Sequence, residues 1–484
     1  MPARVLAVAS EVYPIIKTGG LADVIGALPA ALKSHGVETW TLVPGYPDVI
    51  KALPTATEVL RWPDLFGGPA RLIAGAYGEL DMFAIDAPHL FDRPGNPYTG
   101  PNGWDWPDNA VRFAALSRVA ADIGLGAVLS FVPDIVHVHD WQAGLTPAYL
   151  HYAGGRRPGT VMTIHNMAYQ VQFPPEMLGT LGLPPESYNV HGVEYYGAIG
   201  FLKAGVQFAD RITTVSSTYA REIQSDEGGM GLGGLLRERS SVLSGIINGI
   251  DTSVWNPKSD RHIAYRFGIV ELPLRAANKV ALQCRLKLDP SPNALLLGVI
   301  SRLSWQKGLD LLLENLPTIL GEGMQLALLG SGDANLQERY QAAARANPGR
   351  IAAVIGYDEV LAHFIQAGSD ALVVPSRFEP CGLTQLCALK YGAVPIVSRV
   401  GGLEDTVVDI DDADVPGHAA TGLKFTPVTS EKLADALRRA NRVFHDRPTW
   451  RKLQASGMST DVSWRNRAGA YAALYRDVLT TRPA

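Results

Sequence analysis

Val5-Leu6-Ala7-Val8-Ala9, then Lys17-Thr18-Gly19-Gly20-Leu21-Ala22-Asp23, then Val24, Ile25, Leu28 and Leu32 at helical spacing, make up the opening of the chain. The first run is short, apolar and uninterrupted, which predicts a strand buried on both faces. The glycine pair predicts a sharp loop, and the spacing after it predicts a helix that ends near Gly36. Pro29 falls inside that helical pattern and is expected to kink the helix or reset its start. Strand, loop and helix in this order are one turn of a βαβ repeat.

The rhythm recurs. Glu38–Val43, Ile135–His139, Thr160–Ile164, Ile212–Val215 and Val242–Ile247 are strand-like in the first half. Ala294–Ile300, Gln325–Leu329, Ile351–Ile355, Ala371–Val374 and Val394–Val397 repeat the pattern in the second. Two such series in 484 residues predict an α/β protein of two doubly wound, Rossmann-like domains. The polar stretch from Asn248-Gly249-Ile250-Asp251 onward interrupts the pattern and predicts the boundary. The 47% hydrophobic and 19% charged content fits a chain with a large core and excludes a disordered one. A net charge of −4 supplies no basic field for nucleic acid. No apolar run reaches the roughly 18 residues of a spanning helix, so no membrane partner is expected. Val5–Ala9 is too short for a signal sequence, and three cysteines (Cys284, Cys381, Cys387) do not make a disulfide framework. The expected location is the cytoplasm.

In open α/β sheets, ligands bind beyond the carboxyl ends of the strands, so the chemistry is sought there. Lys17 and the Gly19-Gly20 pair make either a phosphate cradle at a helix start or a plain strand-to-helix turn. Ser301-Arg302-Leu303-Ser304-Trp305-Gln306-Lys307-Gly308 follows the strand Ala294–Ile300, with two cations that grip a diphosphate or form an exposed basic loop. A cationic loop in each half favours the diphosphate. Pro375–Gln385 presents Glu379 beside a helix start near Gly382, either at a sugar or as a helix cap. His137 and His139 share a strand face and read as packed histidines, since no further cluster completes a metal site. His165-Asn166 ends another strand and suits substrate better than core. Gly229–Gly234 formally fits a dinucleotide fingerprint but lacks the preceding strand, and reads as a mobile loop. Asp409-Ile-Asp411 and Asp412-Ala-Asp414 read as a solvated acidic loop.

Taken together, Lys17–Asp23, His137–Leu145, His165–Gln170, Asn248–Asp251, Ser301–Gly308, Ser376–Gln385 and Gly401–Thr406 resemble the bacterial glycogen synthases and plant starch synthases along essentially the whole chain. The resemblance implies two Rossmann-like domains facing across a cleft, the GT-B arrangement. It implies an N-terminal domain of residues 1–246 on the acceptor side, completed by a returning helix at 457–484, and a nucleotide-sugar domain of residues 247–456. It implies transfer of glucose from ADP-glucose to the non-reducing end of glycogen or another α-1,4-glucan, with retention and without a metal or other cofactor. Glu379, His165, Arg302 and Lys307 are the implied catalytic residues. Lys17, Gly19, Gly20, Asn248, Tyr357, Cys381, Gly382, Leu383 and Thr384, with Arg302 and Lys307, are the implied donor contacts. Asp23, Tyr98 and Asp140 are implied on the acceptor side. Cys387 stands where the wider superfamily often carries a second Glu, and Val171 where a Gly is common. Two rival readings are a different two-domain nucleotide-sugar enzyme, and a silent glucan-binding protein using Trp104, Trp106, Trp141 and Trp305 as platforms.

Overall fold

The computed structural model describes residues 2–412 and 419–481. The described residues form two compact units, one up to Asn248 plus the segment from Trp464, the other Gly249–Ser463.

The first unit is built on β1 (Ala3–Val8), β2 (Val37–Pro44), β3 (Thr57–Trp62), β4 (Ala70–Tyr77), β5 (Leu80–Asp86), β6 (Ile135–His139) and β7 (Gly159–Ile164). It continues through β8 (Gln172–Phe173), β9 (Glu194–Tyr195), β10 (Ala198–Gly200), β11 (Arg211–Thr214) and β12 (Leu243–Gly245). Its main sheet runs β12-β11-β7-β6-β1-β2-β5-β4-β3. From β12 to β5 every pairing is parallel, and β4 and β3 add an antiparallel edge. β6 and β7 are buried along their whole length, as continuous apolar runs in a parallel sheet require. The chain leaves β1 toward β2 on one side and later toward β6 on the other, so the strand order reverses between β1 and β6 while the strands stay parallel. In an open α/β sheet the loops that follow the strands at such a point are where ligands bind.

The second unit has one sheet of six parallel strands: β13 (Leu296–Ile300), β14 (Gln325–Gly330), β15 (Ile351–Ile355), β16 (Ala371–Val374), β17 (Val394–Ser398) and β18 (Leu423–Phe425). Their order, β15-β14-β13-β16-β17-β18, is the doubly wound 3-2-1-4-5-6 arrangement, with its switch point between β13 and β16. The loops that follow these two strands are Ser301–Gly308 and Pro375–Leu383, the segments singled out by their chemistry.

Several expectations need correction. No strand is predicted between Val43 and Ile135, yet β3, β4 and β5 lie there. β3 and β4 form the half-exposed antiparallel edge and so carry no continuous apolar run; β5, with Met82–Ile85 buried, does carry one. The helix Gly20–Lys33 is unbroken through Pro29. An interior proline costs about 3 kcal/mol. It is offset here by packing of Val24, Leu28 and Leu32 into a cluster with Trp464, Ala468, Tyr471, Ala472, Tyr475 and Val478. Residue 457 does not begin the returning helix, because the helix Arg447–Ser459 runs through it. Met458 packs with Tyr391 in the second unit, and the returning helix is Trp464–Thr480. Asp409 is not solvated: it is fully buried and accepts hydrogen bonds from the Lys424 amide and from Arg439. Asp414 lies outside the described residues. Gly229–Gly233 is a tight packed turn, with the Gly229 amide donating to the Ser225 carbonyl and Tyr195 Oη to the Met230 carbonyl.

Candidate active site

At the switch point of the second unit, Lys307 and Glu379 meet. Lys307 Nζ lies 2.6 Å from Glu379 Oε2, and Ser376 Oγ donates to the same oxygen at 3.0 Å. Glu379 is 6% exposed. A carboxylate this deep needs a partner, and both partners come from the loop ends that the sheet topology brings together. The two loops are stitched further. Arg377 donates to the Trp305 carbonyl at 2.6 Å and forms a bidentate pair with Asp310, and its amide donates to the Gln306 carbonyl. Gly308 explains its own place: its φ is +65°, and a Cβ there would lie 2.0 Å from the Pro375 carbonyl oxygen.

The helix Thr384–Tyr391 starts beside this pair, with Leu383 as its cap residue, so Gly382, Leu383 and Thr384 stand where first-turn amides lack helical acceptors. The segment is held by Gln385, whose Nε2 donates to the Cys381 and Gly382 carbonyls. Gly402 donates its amide to the Glu379 carbonyl at 3.0 Å, and a Cβ on it would collide with the Cys381 backbone. Arg302 is exposed after β13. Tyr357, just beyond β15, is 75% exposed and donates to Glu359.

At the switch point of the first unit, the organising group is one that the sequence reading missed. Glu11 is 2% exposed and accepts from the Thr18 amide, Thr18 Oγ1 (2.6 Å), the Gly19 amide (3.3 Å) and Tyr98 Oη. Tyr98 Oη also lies 2.8 Å from Ser10 Oγ. The amides of Thr18 and Gly19, expected to cradle a phosphate, are therefore turned toward an internal carboxylate. Gly19 nevertheless faces open space, with nothing within 4 Å of where a Cβ would stand. Lys17 and Asp23 form a salt bridge at 2.8 Å, so Asp23 is the partner of Lys17. The available signal for Glu11 was a lone carboxylate immediately after an apolar strand.

Asp140, after β6, has φ +55° and is buried. Its Oδ1 accepts the His165 amide at 2.7 Å, and the Asn166 amide also serves it. Burial pushes its carboxyl up to about 7 despite those two amides. It fixes the loop after β7 in place. An acid whose folded-state pKa lies above its ordinary value binds a proton more readily folded than unfolded, so stability falls as pH rises from about 4 to 7. Asp140→Asn is therefore expected to gain stability relative to the parent as pH is raised from 5 to 8, read as the difference in urea midpoint; a constant difference refutes the assignment.

His137 and His139 are buried, as their reading predicts. His137 bonds Tyr475 Oη (2.8 Å) and Thr163 Oγ1 (2.6 Å), while His139 Nδ1 meets His165 Nε2 at 2.9 Å. Burial lowers His165 to about 3, so its ring is neutral. Asn248 is 5% exposed, with its Oδ1 buried and unpartnered among the described residues. Of the four tryptophans, Trp141 is buried against Phe113 and Trp106 lies under Arg93. Trp104 (76%) and Trp305 (63%) are exposed. Among the described residues no group of three or more His, Cys, Asp or Glu is arranged to hold a metal ion.

Two Rossmann-like units, each with charged groups at its switch point, define a glycosyltransferase of the GT-B class. The first unit matches the family described as starch synthase catalytic domain over residues 4–238, and the second matches glycosyl transferases group 1 over residues 285–453. The chain is 73% identical to Glycogen synthase 2 of Bradyrhizobium diazoefficiens, covering 100% of both chains. It is 62% identical to a glycogen synthase of Rhodopseudomonas palustris, covering 99% of this chain and 98% of that one. Its structure is similar to the catalytic domain of starch synthase IV from Arabidopsis thaliana bound to ADP and acarbose. That similarity has a TM-score of 0.88 at 31% identity over 99% and 100% of the two chains. The chain belongs to the glycogen synthase family.

Proposed function

We propose that this protein transfers glucose from ADP-glucose to the non-reducing end of an α-1,4-glucan such as glycogen, with retention at the anomeric carbon. The observation that carries the reading is the Lys307–Glu379 pair, a cation and a carboxylate 2.6 Å apart at a parallel-sheet switch point beside a helix start. Breaking the bond between glucose and phosphate develops negative charge on the departing diphosphate and positive charge on the sugar. Lys307, Arg302 and the amides at Gly382, Leu383 and Thr384 stabilise the first, and Glu379 balances the second. These fixed charges act more strongly on the transition state than on the ground state, which is what accelerates the step. Tyr357, exposed beyond β15, stacks the adenine. Cys381 borders the phosphates from the same segment.

In the first unit, Lys17 and the open face of Gly19, with Gly20 at the helix start, offer an anion-facing surface. His165, neutral and half-buried, donates to a sugar hydroxyl, and the unpartnered Asn248 oxygen accepts from another. Tyr98 shapes the acceptor side through Glu11, and Asp140 does so by holding the loop of His165. Asp23 acts there through Lys17. Retention follows a same-face route in which the leaving phosphate takes the proton of the attacking hydroxyl. Glu379 is engaged by Lys307 and Ser376 and is read as a charge-balancing group, not a nucleophile. Two fixed cations take the place of a metal. The three free cysteines suit a reducing cytoplasm, where we place the reaction. No helix among the described residues is long and apolar enough to cross a membrane.

Incubation with glycogen and labelled ADP-glucose or UDP-glucose tests this. Label is expected in polymer from ADP-glucose, at the same rate with EDTA present. Absence of polymer label overturns the transfer, and a rate abolished by EDTA and restored by Mg²⁺ overturns the two-cation account.

A further inference from the structure

His139 is the last residue of β6, 1% exposed, and the mechanism so far leaves it idle. Its Nδ1 lies 2.9 Å from His165 Nε2, its ring packs against His137 at 4.2 Å, and its Nε2 is buried without a hydrogen-bond partner among the described residues. Two imidazole nitrogens at that distance share one proton: two N–H groups would repel, and two lone pairs would not bond.

Two neutral arrangements satisfy the contact. In one, His165 donates from Nε2, and the proton of His139 sits on Nε2, a buried N–H with no acceptor. In the other, His139 donates from Nδ1, its bare Nε2 lone pair is the orphan, and the proton of His165 sits on Nδ1. Orphaned buried N–H groups are the rarer defect, because losing a strong donor's partner leaves its full desolvation cost in place. Charged arrangements are disfavoured by burial, which lowers His139 well below its ordinary value and His165 to about 3. The other groups packed around the pair add no anion to the contact. His137 is held by Tyr475 and Thr163, and the Asp140 carboxylate is turned to the His165 and Asn166 amides.

We propose that His139 is a positioning residue that sets the tautomer of His165, so that Nδ1 of His165 is an N–H donor available to a sugar oxygen. This rests on the reading above that His165 meets the sugar. Among the described residues nothing hydrogen-bonds that Nδ1, so it is the nitrogen left for a ligand. The neutral donor also persists across the range in which an ordinary histidine would titrate.

The test is a long-range proton–nitrogen NMR correlation of the full chain, labelled with ¹⁵N-histidine, between pH 5.5 and 8, with His165 assigned from His165→Ala. The expected result is a neutral His165 with its proton on Nδ1 throughout. A proton on Nε2, or an imidazolium in this range, overturns the proposal without any appeal to activity. His139→Phe is expected to lower kcat on the order of 10²-fold with little change in KM for ADP-glucose. His139→Asn, whose amide can donate from near the former Nδ1, is expected to restore most of it. Unchanged turnover in His139→Phe, or no rescue by asparagine, refutes the positioning role. If the tautomer is as expected but His165→Ala keeps full turnover, the tautomer stands and only the placement of His165 at the sugar falls.

Discussion

Lys307→Ala is expected to lower kcat for glucosyl transfer by roughly 10²–10³-fold, the usual consequence of removing one preorganised group that stabilises developing charge. The loss is compounded locally. Glu379 is 6% exposed and would keep only the Ser376 hydroxyl, so a buried carboxylate would be left largely uncompensated. Lys307→Arg restores the charge but not the compact ammonium that fits 2.6 Å from Glu379, and an intermediate rate is expected. Steady-state kinetics checked against far-UV circular dichroism separate lost chemistry from lost fold. Near-normal turnover by a folded Lys307→Ala protein would remove Lys307 from the diphosphate role.

The second large effect is expected at Glu11→Ala. Four donors converge on that carboxylate: the Thr18 amide and hydroxyl, the Gly19 amide and the Tyr98 hydroxyl. Each buried donor left unsatisfied costs about 1–3 kcal/mol, and the four are coupled, so the total falls below their sum. The first unit is expected to lose a few kcal/mol of stability by this count. The loop carrying Lys17 and Gly19 slackens at the same time, with a fall in kcat/KM for the glucan on the order of 10²-fold. Glu11→Gln keeps one acceptor oxygen and sets an N–H against donors, so it falls between the two. A Glu11→Ala protein with parental urea midpoint and parental kcat/KM would show that the loop does not depend on this carboxylate.

The two predictions differ in how far the sequence leads to them. Lys307 and Glu379 are both marked in the chain, each following an apolar strand and preceding a helix. Their 2.6 Å contact is not, because they stand 72 residues apart in sequence and meet only since β13 and β16 are neighbours in the sheet. Glu11 lies in plain view yet has no signal of its own. Its role comes from Tyr98, 87 residues on, and from a loop whose amides turn inward. His139 reads correctly as buried, but burial says nothing of which nitrogen faces His165. The β3–β4 edge escapes because a half-exposed antiparallel pair lacks the long apolar run that betrays the parallel strands.

Periodicity and punctuation alone determined that this chain is built from repeated strand–loop–helix units in two series, and pointed to the ends of those strands as the place to look for its chemistry. These are local properties: a run of apolar residues buries both faces of a strand, and a glycine pair turns the chain, wherever they occur. Tertiary structure decided which loops became neighbours. It brought Tyr98 to Glu11, turned Asp140 inward to the amides of the next loop, carried the helix through Pro29, and paired His139 with His165. Those outcomes depend on strand order and on the depth at which each polar group is buried, and an unsatisfied charge or N–H in a dry interior costs enough to select its partner from anywhere in the chain.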